Sequence, residues 1–181
     1  MDRGGSTNPS LPEESPCPTK YKSLSGVKCP EHEEIRVYYT NCQSFRKKIN
    51  ELRLYLVVKK VDRPAVICLT ETWTNEDIKN EELTIDGYEI IARVDRIDTT
   101  KGRGGGIIIY VSNSLGAQLD GSLNTFSFNQ AASISINTAG QLIRIIVVYR
   151  SPNSNQENNV ALNELFSRIS GNTIVVNDFN L

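Results

Sequence analysis

Five polar side chains stand just beyond apolar runs of this sequence: Asn41, Glu71, Tyr149, Asp178 and Asn180. The ends of buried strands are where an α/β sheet offers side chains to a ligand crevice. Glu71 and Asp178 each follow such a run directly. A carboxylate placed there costs free energy unless it is partnered, and a divalent cation is a partner that oxygen ligands suit. Taken singly, each of these residues reads as a turn former or a helix cap. Their recurrence at corresponding positions argues against that, and it predicts that the five converge in one crevice.

Other groupings carry less. Lys101-Gly102-Arg103-Gly104-Gly105-Gly106 has the glycines of a phosphate loop but lacks its Gly-Lys-Ser/Thr ending, and a strand follows it, so a flexible hairpin is expected. Cys29-Pro-Glu-His32 brings two zinc ligands close together, but only the lone Cys17 lies near, so no zinc site is expected. Arg36, Arg46, Lys47, Lys48, Arg53, Lys59, Lys60 and Arg63 outnumber Glu51 and Asp62 between Arg36 and Arg63. Such a basic helix could track a DNA backbone; a solvated helix face is the plainer expectation. Trp73 and Phe45 read as core residues rather than base-stacking ones.

The elements that must position these residues are legible from periodicity. Residues 1–33 are rich in Ser, Pro, Glu and Gly without periodic apolar positions, and read as a disordered leader to a domain over 34–181. Ile35–Tyr39 is β-branched and aromatic, a strand. Phe45, Ile49, Leu52 and Leu56 recur at helical spacing within Ser44–Lys60, and Pro64 closes that helix. Ala65–Leu69 is a buried strand, so strand, helix and strand within about 35 residues make a βαβ unit with parallel strands. Tyr88–Val94, Gly106–Val111, Ala131–Asn137 and Leu142–Tyr149 are strand-like and separated by turn-rich loops with no helix-length pattern between them, which predicts hairpins. Ser154-Asn155-Gln156-Glu157 has the capping-box pattern for a helix over Asn155–Ile169, with Gly171 as its stop. Thr173–Val176 is the last strand.

Of the 181 residues, 39% are hydrophobic, which calls for a packed core rather than a disordered chain. The 20 Lys and Arg balance the 21 Asp and Glu, so bulk charge does not hold nucleic acid as it would in a polybasic protein. No apolar run spans a bilayer and no secretory signal is evident, so no membrane association is expected. An intracellular chain, nuclear or cytoplasmic and not secreted, fits; Cys42 and Cys68 then read as reduced buried thiols.

Four stretches share a pattern. Thr70-Glu71-Thr72-Trp73 follows a hydrophobic strand. Val148-Tyr149-Arg150-Ser151-Pro152-Asn153 ends another, Asn177-Asp178-Phe179-Asn180 a third, and Asn41 follows the first strand in Tyr39-Thr40-Asn41-Cys42. In this order, from about Ile35 to Leu181, they resemble the glutamate, tyrosine–proline, Gly-Asp-Phe-Asn and asparagine motifs of the endonuclease/exonuclease/phosphatase family. The nearest subgroup is the endonuclease domain of non-LTR retrotransposons. The resemblance implies a DNase I-like α/β (α+β) fold, a two-sheet sandwich flanked by helices and incomplete at the C-terminus. It also implies a Mg²⁺-dependent phosphodiesterase, with Mn²⁺ as an alternative cofactor and the DNA phosphate backbone as partner.

By the same resemblance, Glu71 would coordinate the metal and Asn41 would hold phosphate or metal-bound water. Tyr149 would donate a hydrogen bond to the phosphate, Asp178 would orient or deprotonate the attacking water, and Asn180 would steady the transition state. Three departures stand out. Asn177 replaces the glycine before Asp178, Ser151 replaces the first proline of Tyr-Arg-Pro-Pro, and the family's C-terminal Ser-Asp-His region has no counterpart, the only histidine being His32 in the leader. A weak or inactive nuclease is therefore expected. The alternatives are a phosphatase or phosphodiesterase acting on lipid or sugar phosphates, and a non-catalytic remnant or interaction module.

Overall fold

The computed structural model describes residues 35–59, 62–96, 104–125, 128, 130–138 and 140–179. The leader, with Cys17, Cys29 and His32, and residues Lys101–Arg103 and Asn180, on which several expectations fall, lie outside the described residues.

Among the described residues, eight strands and two α-helices follow one another as β1 (Val37–Asn41), α1 (Phe45–Val58), β2 (Val66–Thr70), β3 (Tyr88–Val94), β4 (Ile107–Ser112), β5 (Ala117–Leu119), β6 (Ala131–Thr138), β7 (Gln141–Arg150), α2 (Gln156–Ser167) and β8 (Thr173–Phe179). They form two four-stranded sheets, ordered β1-β2-β4-β3 and β5-β6-β7-β8. Each sheet is mixed for the same reason. A helical crossover makes the pair it joins parallel, β1 with β2 through α1 and β7 with β8 through α2. The remaining neighbours are antiparallel.

The period of two along a strand sorts the core into layers. Val66 and Cys68 of β2, Ile107, Ile109 and Val111 of β4, and Ile134, Ile136, Ile145, Val147 and Val176 of the other sheet pack into one apolar seam between the sheets. The alternate residues Ile67, Leu69, Ile108 and Tyr110 turn outward onto Phe45, Ile49, Leu52 and Leu56 of α1. Ile146 and Val148 likewise meet Ala161, Leu162 and Leu165 of α2. The result is helix, sheet, sheet, helix, the sandwich expected from sequence. Cys42 and Cys68 are buried free thiols, as expected, and burial pushes both thiols up to about 12, which leaves them protonated. No helix among the described residues is long and apolar enough to cross a membrane.

Several local expectations need correcting. The first strand runs over Val37–Asn41 rather than Ile35–Tyr39, because its partner sets the register: the Arg36 carbonyl takes the amides of Ala65 and Val66, and Asn41 pairs with Thr70. Helix α1 ends at Val58, several residues before Pro64 can act on it; the Pro64 carbonyl instead accepts the Tyr88 hydroxyl at 2.7 Å. The N-cap of α2 is Asn155, whose side chain accepts the Asn158 amide at 2.9 Å. Ser154 takes the Asn158 side-chain amide instead, so the capping box is not made. The helix stops at Arg168, and Gly171, at φ +74°, serves the turn into β8.

Asp120, after β5, ties the second sheet together. Its carboxylate accepts the Ser122 amide and hydroxyl, both at 2.9 Å, the Ser133 hydroxyl at 3.0 Å, and Arg144 Nε at 2.5 Å. Burial alone would raise its pKa, but these donors outweigh burial and hold it below the ordinary value. A carboxyl depressed in the folded state contributes stability above its unfolded pKa of about 3.9 and loses it as pH falls through the folded value. Asp120→Ala is therefore expected to cost about 2 kcal/mol at pH 7. In urea titrations its midpoint should converge on that of the wild type as pH falls below about 4.

Candidate functional site at the mouth of the inter-sheet seam

The register brings polar residues to one end of the seam. In the first sheet Asn41 lies beside Thr70, on the strand faces that carry Tyr39 and Cys68 inward. In the second, Tyr149 lies beside Asp178, on the faces that carry Val147 and Val176 inward. All four sit at the carboxyl ends of parallel pairs, and the sheets turn these faces toward each other. Asn41 closes the gap by donating its amide to Asp178 Oδ2 at 2.6 Å. Thr70, fully buried, also hydrogen-bonds Asp178 and meets the Tyr39 hydroxyl at 3.1 Å.

Glu71 leaves β2 at the same mouth. Its Oε2 accepts the Trp73 indole N–H at 2.6 Å and the Gly105 amide at 3.2 Å. The loop that carries it is stitched to its neighbours through backbone bonds. Cys42 N donates to Thr70 O, Ser44 N to Glu71 O and Phe45 N to Thr72 O, each at 2.9 Å. Ser44 gives α1 no side-chain cap, so part of the helix's first turn is satisfied by the Glu71 loop instead. On the other side Thr72 N and Trp73 N reach the carbonyls of Gly106 and Gly105.

Electrostatics distinguish the groups. Burial comes first in raising the Tyr149 hydroxyl well above its usual pKa; its hydrogen bond with Glu71 and the charges of Glu71 and Asp178 raise it further, against a smaller opposing effect from the Gly105 backbone. Tyr149 therefore stays protonated and can donate across the neutral range. Asp178 is also raised, first by burial. The Asn41 amide opposes this, the Glu71 charge adds to it, and Thr70 opposes it again. A carboxylate with increased proton affinity is suited to take a proton from water.

Four of the five expected residues, Asn41, Glu71, Tyr149 and Asp178, thus meet at one mouth, and the fifth, Asn180, lies outside the described residues. Sequence reasoning missed Thr70, taken only as part of a motif, and Gly105, taken as part of a hairpin. It also took Trp73 for core, although Trp73 belongs to none of the apolar clusters. Phe45 is core as expected. Gly104–Gly106 precede β4, and the Gly105 amide reaches into the site. No spacing rule flags such contributions, because they come from backbone groups and from a fold-wide register.

A mixed-sheet α+β sandwich is the fold of the endonuclease/exonuclease/phosphatase proteins, the DNase I-like class. The chain is similar to the endonuclease domain of TRAS1, a telomere-specific non-LTR retrotransposon, at 19% identity and TM-score 0.56, covering 81% of this chain and 59% of that one. It is similar to the AP endonuclease LMAP from Leishmania major at 17% identity and TM-score 0.58, over 81% and 55% of the two chains. A third similar structure is the 3′ phosphatase NExo from Neisseria bound to a product DNA hairpin, at 17% identity and TM-score 0.52, over 82% and 58%. The chain therefore spans less than two thirds of the length of each. No family model matches the chain, and no curated protein sequence does.

The mouth depends on one close approach. A Cβ on Gly106, at φ +90°, would stand 2.3 Å from Thr72 Oγ1 and 3.3 Å from Trp73 N. Gly106→Ala is expected to destabilise the fold by about 2 kcal/mol or more. It is also expected to shift the fluorescence of Trp73, which chemical denaturation followed by emission would read directly.

Proposed function

We propose that the mouth hydrolyses phosphodiester bonds of DNA with the aid of a divalent cation, and that the protein is the endonuclease of a non-LTR retrotransposon. The observation that carries this is the convergence of Glu71, Asp178, Asn41 and Tyr149 from opposite sheets. The similarity to the TRAS1 endonuclease domain supports the particular class. The NExo structure contains product DNA, and D. rerio TDP2 was solved with a single-strand DNA product, which supports DNA as the substrate.

The described donors suit a hard cation, with carboxylate oxygens from Glu71 and Asp178. Two carboxylates close enough for one to raise the other's pKa also favour a positive charge between or beside them. Glu71 would hold Mg²⁺, or Mn²⁺, with Asn41 beside it; Mg²⁺ ordinarily keeps several waters when one or two carboxylates bind it. The bound cation would supply charge stabilisation to the phosphate. Asp178, fixed by Asn41 and Thr70, accepts the proton of the attacking water. Tyr149, kept protonated, donates to a phosphate oxygen. Asn180 is proposed to steady the transition state.

Trp73 is the only tryptophan, so its emission reports on Glu71 directly. Titration with Mn²⁺ or Mg²⁺ is expected to change that emission in the wild type and not in Glu71→Ala. In a plasmid-nicking assay with Mg²⁺, cleavage is expected to vanish in Glu71→Ala and to fall by about 10²–10³-fold in Asp178→Asn. An emission that ignores both cations, together with nicking unaffected by Glu71→Ala, would overturn the reading.

A further inference from the structure

Glu71 and Trp73 both have positive φ, 54° and 56°. Large side chains rarely adopt that conformation, and it persists only where surrounding contacts outweigh the strain, a condition met most often at functional sites. Here the contacts are the backbone bonds from Thr72 and Trp73 to the Gly105–Gly106 segment. The double reversal of the chain turns the Trp73 indole back onto the residue two positions earlier, so that its N–H meets Glu71 Oε2 at 2.6 Å. The Gly105 amide meets the same oxygen from the β3–β4 side. Two donors from separate loops on one oxygen leave the carboxylate little freedom to rotate. Packing does not account for the tryptophan, because it is only partly buried and joins none of the three apolar clusters.

We propose that Trp73 is a positioning residue whose indole N–H fixes the Glu71 carboxylate in the orientation that receives the cation. The proposal rests on the reading of Glu71 as the cation ligand. Donors that orient a ligating group from behind typically change metal affinity by about 10–100-fold when lost. A tryptophan that merely fills space would have no such effect if its shape were kept.

The single tryptophan allows the hydrogen bond alone to be removed. Protein carrying β-(3-benzothienyl)alanine at position 73 keeps the ring shape and replaces N–H by sulfur. Protein carrying 5-fluorotryptophan keeps the donor. Mn²⁺ affinity, measured by electron paramagnetic resonance of the free ion, is expected to weaken by about 10–100-fold in the first and to stay near the wild-type value in the second. In unsubstituted protein, the one indole ¹H–¹⁵N signal is expected to move when Mg²⁺ is added, a readout that needs no variant to fold. Equal Mn²⁺ affinity with and without the N–H, or an indole signal unmoved while Mn²⁺ binds, overturns the proposal and leaves Glu71 as a ligand. If Mn²⁺ fails to bind the unsubstituted protein, the reading of Glu71 itself falls, and this proposal with it.

Discussion

The two sheets close on a dry seam, and strand β2 lies inside it with every residue from Val66 to Thr70 buried. Such a strand has no solvent to satisfy its backbone, so it is paired on both sides, with β1 in parallel and with β4 in antiparallel register. Burial on both faces also forbids charge along its length, since an unpartnered carboxylate there would be too costly. Thr70, whose hydroxyl is hydrogen-bonded, is the last residue that can stay inside, and Glu71 is the first that can leave. β7 and β8 bring Tyr149 and Asp178 to the same end. The polar mouth is thus where a continuous apolar seam has to stop.

Holding two carboxylates at that mouth has structural consequences. Asp178 receives the Asn41 amide and the Thr70 hydroxyl, and Glu71 receives an indole and a main-chain amide. The donors do not offset burial and the nearby Glu71 charge, which hold the Asp178 pKa above its ordinary value. To aim the donors, the chain adopts positive φ at Gln43, Ser44, Glu71 and Trp73, and at Gly104, Gly105 and Gly106. Three loops are bent together, and backbone hydrogen bonds between them offset the strain.

The basic run from Arg36 to Arg63 illustrates how much a composition argument leaves open. Arg36 pairs with Asp62, Arg46 with Glu82 and Lys48 with Glu51. Arg53 donates to the Thr84 carbonyl and Arg63 to the Leu56 carbonyl. Much of this charge is engaged with the protein's own acceptors, in keeping with a solvated, self-stabilised surface. Exposed pairs of this kind contribute little stability, and they break readily when another anion competes.

Local patterns were enough to determine the elements. Period-two and period-3.6 repeats, together with turn residues, locate both helices and every strand but the three-residue β5, because burial on one face or two leaves a direct mark on residue type. Boundaries were less secure wherever a partner strand sets the register, as at Asn41, or where two side chains compete for one amide, as at Ser154 and Asn155. The polar residues beyond the strands were also visible, since a carboxylate after an apolar run is conspicuous. That Asn41 would meet Asp178, 137 residues away, depends on which edges of the two sheets face each other, and no local pattern encodes that. The parts played by Thr70, Trp73 and Gly105 likewise arise only in three dimensions. Their donors acquire a purpose when strain and register aim them at a carboxylate from another part of the chain.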